Sequence, residues 1–344
     1  MDDSRITVII PSYNREDRIA VAVKSLFAQT DLPYEIIVVD DGSTDNTKCV
    51  IEALQAQAPT KLSYHLKENG GPSSARNYGI RKCSTQFIAF LDSDDEWISD
   101  KLRLQLELFK ESPYRANLGV VYCDFELIDG LGNRLLSSCS SFIDPSLRGN
   151  IFVPLLDCNK VTSSCSGVLV KKECFDKVGL FDEKLGAAED WDMWLRIAEA
   201  YDFDFVDKVL VKIRRHTGNM QLNVERMFQN ELIFMSKWTM TLNQIEIPPS
   251  WPQKIADTII QQLPNTNLYR DLIKITTPEI ERKLFFRTDG SVRKAIFSQL
   301  KFKVYLEFRG WAKVIILGTF NLVKLAIKCL RSALLISLVD KNDV

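Results

Sequence analysis

FIAFLDSDDEW, residues 87–97, sets a five-residue apolar run against a turn carrying Asp92, Asp94 and Asp95. The run is short and almost wholly apolar, as expected for a strand covered on both faces. Two earlier runs read the same way. ITVII at 6–10 is ended by Pro11, and YEIIVV at 34–39 is ended by Asp40-Asp41-Gly42-Ser43. Helical spacing fills the intervals. Residues 15–28 place Ile19, Val23, Leu26 and Phe27 on one face, and 44–57 open with Thr44 as an N-cap. Residues 71–83 and 99–111 read similarly, the last with Ser99 as its cap. Strand alternating with helix predicts a mostly parallel sheet in an α/β domain. In such sheets chemistry gathers outside the carboxyl ends of the strands. Ser12-Tyr13-Asn14, Asp40-Asp41 and Asp92 to Asp95 all stand at those ends.

The chain has 344 residues, with 44 Lys+Arg against 45 Asp+Glu and a net charge of −1. Hydrophobic residues make up 46% and charged residues 26%, the balance of an ordinary folded chain. Disordered, collagen-like and disulfide-scaffold classes are excluded, as is a protein coated throughout for nucleic acid. Eight cysteines form no C-x-x-C pair and there are two histidines, His65 and His216, so a Cys/His zinc site is not expected. The start, MDDSRITVII, lacks the basic opening and apolar core of a secretory signal. Reduced thiols in a cytoplasmic protein are the expectation.

Further along, 119–125, 165–170 and 209–215 read as strands and about 187–200 as an amphipathic helix. Residues 222–300 read as helices separated by Pro248-Pro249, Pro264 and Pro278. Three carboxylates on one turn repel unless a cation or donors compensate. Oxygen ligands of this kind suit Mg²⁺ or Mn²⁺, held by one or two carboxylates and substrate phosphates. A solvated acidic turn before a helix is the plainer alternative.

Six ordered motifs carry a family resemblance: PSYNRED (11–17), VVDDGSTDNT (38–47), NGGPSSARNYGI (69–80), FLDSDDEW (90–97), EDWDMWLR (189–196) and RRHTGNM (214–220). Over about residues 5–220 the chain resembles the inverting glycosyltransferases of family 2, with the GT-A fold. That implies a mostly parallel mixed sheet flanked by helices and a nucleotide-sugar site. The resemblance covers the catalytic domain at 1–220; the residue pattern beyond it reads as a helical extension at 221–300 and a basic amphipathic tail at 301–344. Within the catalytic domain, about 1–117 would bind the donor and about 118–220 the acceptor.

The resemblance also implies roles. Pro11, Tyr13 and Arg15 lie near the nucleotide, with Asp41 on the edge of the base, where a carboxylate accepts from an imide or amide N–H. Asp40 suits a turn residue. Arg76 bonds diphosphate oxygens, or forms a structural salt bridge. Gly70, Gly71 and Ser73 supply a phosphate-friendly helix start. Asp92 lies near the ribose, and Asp94 and His216 hold a divalent metal, Mn or Mg. Asp95 supports them or caps. Asp190 is the general base, with Glu189 beside it, and partial burial would raise its proton affinity. Trp191 can line the acceptor pocket or equally belong to the core, whereas Trp194 suits the core. The implied reaction is one in-line displacement. Its acceptor is a saccharide or a lipid-linked saccharide, as in synthesis of cell-surface polysaccharide or glycolipid.

Residues 301–339 hold seven basic residues and one acidic, Glu307, among apolar residues. Lys313, Lys324, Lys328 and Arg331 share one side of a helical wheel. The longest uncharged run, Val314 to Val323, is too short to span a bilayer. A helix lying at the cytoplasmic face of a membrane fits, as does docking on a protein surface. A sugar-1-phosphate nucleotidyltransferase is the alternative enzyme, though PSYNRED is not its Gly-rich basic loop. A non-catalytic nucleotide-sugar-binding or scaffold protein is the alternative of another class. A dinucleotide oxidoreductase is disfavoured, since no G-x-G-x-x-G follows the first strand.

Overall fold

The computed structural model describes residues 4–135, 144, 147–157, 159–161, 164–216 and 219, then Arg226, Met227, Asn230, Ile233, Phe234, Lys237 and Trp238. The expected tail, and nearly all of the expected helical extension, lie outside the described residues.

The described strands form one eight-stranded sheet. In chain order they are β1 (Ile6–Ser12), β2 (Glu35–Asp40), β3 (Lys61–Leu66), β4 (Phe87–Phe90), β5 (Glu96–Trp97), β6 (Leu118–Ile128), β7 (Val168–Lys171) and β8 (Asp202–Arg214). Their spatial order is β3-β2-β1-β4-β7-β6-β8-β5. Strands β3, β2, β1 and β4 run parallel. Strand β7 is antiparallel to both β4 and β6, and β8 runs parallel to β6. The helices are α1 (Ile19–Phe27), α2 (Thr47–Gln55), α3 (Gly71–Lys82), α4 (Lys101–Glu111), α5 (Phe152–Asp157), α6 (Lys172–Val178) and α7 (Glu189–Ala198). A sheet with helices on its faces buries the strands on both sides. Every residue of β1, β2 and β4 is accordingly buried.

Several expectations shift by a few residues. Pro11 does not end β1. It pairs with Val39 while the β4 ladder has already stopped at Ile9 opposite Phe90, so its missing N–H falls beyond the paired stretch. Thr44 does not cap α2; the Asp45 carboxylate instead accepts from the Thr47 N–H at 3.0 Å, in a turn just ahead of the helix. Ser99 does not cap α4, because its carbonyl accepts from the Thr30 N–H and the helix starts two residues later. The strand expected at 165–170 opens with a 3₁₀ turn, Cys165–Gly167, before β7.

This topology brings distant segments to one sheet edge. The carboxyl ends of β1, β2 and β4 lie beside the start of β7, which runs the opposite way. The parallel pair β6 and β8 ends on the same side. Helix α3 packs closely on β1: a Cβ at Gly79 would come within 2.5 Å of the Ile9 side chain. Five described cysteines are free thiols, four of them buried. Among the described residues no helix is long and apolar enough to cross a membrane.

Candidate active site

A cleft of about 1070 Å³ opens at this edge. Its walls include Pro11, Tyr13, Arg15, Asp41, Arg76, Asp92, Asp94 and Asp95 from the first half of the chain. Glu189, Asp190 and Trp191 face it from the start of α7, and Arg215 from the residue after β8. Its size and its mixture of polar and apolar walls suit a small-molecule ligand.

The first loop is fixed by its own polar groups. Asn14 adopts a left-handed backbone with φ of 50°. Its N–H donates to Ser43 Oγ at 2.8 Å, and its side-chain oxygen accepts from the Thr44 N–H at 2.8 Å. Tyr13 is left exposed at the mouth. Asp40 is a turn residue, accepting from the Ser43 N–H and from the Tyr64 hydroxyl at 2.6 Å.

Asp41 lines the cleft and is already bonded by its own loop. Its carboxylate accepts from Lys67 Nζ at 2.7 Å, from the Gly70 N–H at 3.0 Å and from the Gly71 N–H at 2.7 Å. It therefore pins the start of α3, and the two amides expected to greet a phosphate are already engaged. The left-handed Gly71, φ 86°, lets its N–H turn back toward Asp41. Lys67 carried no motif signal; only the β3 pairing brings it beside Asp41.

Arg76 is buried between two carboxylates. One terminal nitrogen donates to Glu189 Oε1 at 2.9 Å and the other to Asp92 Oδ1 at 2.8 Å. The structural salt bridge is therefore the arrangement present, and a diphosphate would meet a guanidinium already paired at both tips. Its Nε has no partner, and neither do Arg15 Nε and Ser12 Oγ, all three buried on residues lining the cleft. Unpaired buried polar atoms are rare in folded proteins, and three of the five found among the described residues belong to residues of this cleft.

The carboxylates of the acidic turn after β4 have different partners. Asp95 faces inward and accepts from Ser166 Oγ at 2.7 Å, Ser164 Oγ at 3.0 Å and the Arg214 N–H at 3.1 Å. Burial, then the charges of Asp94 and Asp92, pushes its carboxyl well above the usual range. Arg214 also ion-pairs with Glu96 and bonds the Asp94 carbonyl at 3.1 Å, tying β8 to the turn. Asp94 Oδ2 meets His216 Nε2 at 2.9 Å, with Arg15 at 3.9 Å. Among the described residues no group of three His, Cys, Asp or Glu side chains gathers to hold a metal. A carboxylate and an imidazole at contact distance fit a divalent ion only where water and ligand oxygens complete the shell.

On the far wall, Ala188 in a left-handed conformation, φ 60°, turns the chain into α7. Asp190 Oδ1 accepts from the Trp191 N–H at 2.7 Å, and Oδ2 from Asn159 Nδ2 at 3.3 Å. Burial, then the neighbouring Glu189 charge, pushes Asp190 up to about 7. Trp191 stacks on Phe234, ring centroids 4.3 Å apart, and donates its indole N–H to the Leu155 carbonyl. Phe234 therefore occupies one face of the ring expected to be available to an acceptor. Trp194 is fully buried. Asp192, also fully buried, accepts from Arg196 at 3.0 Å and Trp238 Nε1 at 3.1 Å and ion-pairs with Lys237 at 2.9 Å. Long-range partners such as Asn159, Ser164, Ser166 and Phe234 had no local sequence signal.

Residues 7–168 match the family model for glycosyl transferase family 2. The chain is 34% identical over 227 residues to an uncharacterized glycosyltransferase of Rickettsia typhi, covering 63% of this chain and 67% of the relative. It is 31% identical over 201 residues to the UDP-Glc:alpha-D-GlcNAc-diphosphoundecaprenol beta-1,3-glucosyltransferase WfgD of Escherichia coli, covering 57% and 71%. The chain spans about a third of an uncharacterized glycosyltransferase of Rickettsia conorii, 34% of its length. Among solved structures, TarS 1-349 of S. aureus superposes with a TM-score of 0.57 at 18% identity, over 87% of this chain and 91% of that one. The mannosyltransferase PcManGT of Pyrobaculum calidifontis, in complex with GDP-Man and Mn²⁺, gives 0.52 at 17%, over 90% and 88%. The mixed sheet flanked by helices is thus that of the GT-A glycosyltransferases.

Proposed function

The chain belongs to glycosyltransferase family 2, and from that premise we propose that it moves a sugar, with inversion, from a nucleoside-diphosphate sugar to a hydroxyl of a saccharide or lipid-linked acceptor. The setting is synthesis of a cell-surface polysaccharide or glycolipid. The supporting observation is a single cleft lined by the Arg15 and Arg76 guanidinium groups and by a carboxylate, Asp190, pushed up to about 7. The two positive charges suit an anionic ligand. The carboxylate suits proton abstraction near neutral pH.

In this reading Pro11, Tyr13 and Arg15 flank the nucleotide, and Asp41 shapes its loop from below. Arg76 sets its positive charge beside the diphosphate while its tips hold Asp92 and Glu189. Asp190 takes the proton of the acceptor hydroxyl as its oxygen bonds to the anomeric carbon and the bond to the diphosphate oxygen breaks. Asp94 and His216 would hold a divalent ion, Mn or Mg, with Asp92 close by. Such an ion supplies positive charge to the leaving diphosphate. Asp95 holds the turn in register. GDP-Man and Mn²⁺ together in the Pyrobaculum mannosyltransferase support this assignment by likeness of fold.

The domain reading is proposed alongside it: donor binding by about 1–117, acceptor binding by about 118–220, a helical extension at 221–300 and a basic tail at 301–344. The tail would rest the enzyme on the cytoplasmic face of a membrane, where a lipid-linked acceptor is presented.

The test is a thermal-shift screen of the full-length protein with UDP-, GDP- and dTDP-sugars, each with Mn²⁺ or Mg²⁺. A true donor raises the melting temperature by mass action. Transfer to acceptor then follows with that donor and is lost in Asp190→Asn. No shift and no transfer with any pair would leave the scaffold reading in possession.

A further inference from the structure

Glu189 is held in an unusual position for a surface-type residue at a helix start. It is 6% exposed. Its carboxylate is bonded to Arg76, which is 4% exposed and whose other tip holds Asp92. Arg76 thus joins the end of β4, on the donor wall, to the first turn of α7, on the opposite wall. The next residue after Glu189 is Asp190.

We propose that Glu189 is a positioning residue for Asp190, clamped by Arg76 so that its carboxylate stands permanently beside the base. The inference rests on the reading of Asp190 as the general base. A free glutamate would swing into solvent and its influence would be screened. Ion-paired to a buried guanidinium, it is fixed in a low-dielectric wall where a like charge acts strongly. The charged and titratable groups facing Asp190 are Glu189 on its own helix, Arg76 on α3, Asp92 after β4 and Cys165 in the turn before β7. Lys160 and Arg226 line the same cleft. Glu189 supplies the largest of the charge effects on Asp190 and favours its proton-bound form, while Arg76 opposes it. The pair therefore sets how strongly Asp190 holds a proton, with the two members pulling in opposite directions.

The clamp gives a signed test. Full-length protein labelled with ¹³C at its aspartate carboxyls is titrated by NMR, the Asp190 signal being identified by its loss in Asp190→Asn. Glu189→Gln lowers the Asp190 midpoint by about one pH unit or more. Glu189→Asp, which keeps the charge, holds the midpoint near that of the parent protein. A purely structural role predicts instead that Glu189→Gln and Glu189→Asp alike loosen the wall, admit water and lower the midpoint together. An unmoved midpoint in Glu189→Gln, or an equal fall in Glu189→Asp, overturns the proposal. Should Glu189→Gln fail to fold, Arg76→Lys decides: the charge is kept but the fork that holds Glu189 is lost, the freed carboxylate is screened and the midpoint falls, and an unchanged value counts against the clamp. The titration reads Asp190 directly, so it stands whatever happens to transfer. Failure of the base reading would show separately, as Asp190→Asn retaining transfer.

Discussion

Asp94 Oδ2 and His216 Nε2 lie 2.9 Å apart although 122 positions separate them in the chain. The turn after β4 supplies one and the end of β8 the other. Neither residue has a neighbour in sequence that would have paired them. The contact exists because the sheet order sets both segments at one edge.

If this pair holds the divalent ion, His216→Ala and Asp94→Asn each weaken Mn²⁺-dependent donor binding by about tenfold or more. Calorimetry with the donor found by thermal shift, with and without Mn²⁺, reads the effect. Metal-independent binding stays near the parent value. Equal affinity with and without metal in the parent protein would remove the ion from the mechanism.

Asp190→Asn is expected to lower transfer by about 10²- to 10⁴-fold while donor affinity is kept. An amide has the same shape but cannot take the proton.

The raised Asp190 also sets two pH dependences. Only the ionised form accepts a proton, so kcat/KM rises with pH through about 7 and then levels. Stability runs the other way. The folded protein holds this proton more tightly than the unfolded chain, so ionising Asp190 costs stability as pH climbs from the ordinary carboxylate range to about 7. Asp190→Asn should therefore melt above the parent protein at pH 8, and the gap should narrow at pH 5. Melting curves at the two values check this without any substrate.

Asp192→Ala should destabilise the fold by about 3 kcal/mol, because it strips a buried carboxylate from Arg196, Lys237 and Trp238. Chemical denaturation measures the loss. A change under about 1 kcal/mol would show that these contacts add little.

Gly79→Ala places a methyl group within 2.5 Å of Ile9 and should cost about 1–3 kcal/mol, despite alanine's better helix propensity. The shift of α3 away from β1 carries Arg76 with it, so donor affinity should fall as well.

The parallel half of the sheet was legible because β1, β2 and β4 are buried on both faces and read as bare apolar runs. Strand β3, KLSYHL, is an edge strand with half-exposed residues, and it offered no such run. Strand β8 was expected from 209 but begins at Asp202. Its early carboxylates mask the pattern, and Asp204 is tolerated in the core because Ser112 and Arg148 pair with it. The site shows the same division. Motifs brought Asp92, Asp94, Asp190 and His216 into consideration, and they do line or adjoin one cleft edge. What each carboxylate bonds to was not legible. Asp41 is held by Lys67, Asp95 by two serines before β7, and Arg76 by Glu189 from 113 positions away. Such partners are set by sheet order, which no local window encodes.

The late position of β8 in the chain carries a consequence for synthesis. Residues 7–168 include the whole parallel half, yet neither Asp190 nor His216 has been made when residue 168 emerges. A nascent chain can therefore lay down its parallel strands before the residues proposed as base and metal ligand have been made. Only after β8 inserts between β6 and β5 does the histidine reach the acidic turn. A ribosome stalled before residue 216 would release a polypeptide with the recognisable first half and no assembled centre. On the proposed reading, the order of translation leaves an unfinished chain without its base and its metal-holding histidine.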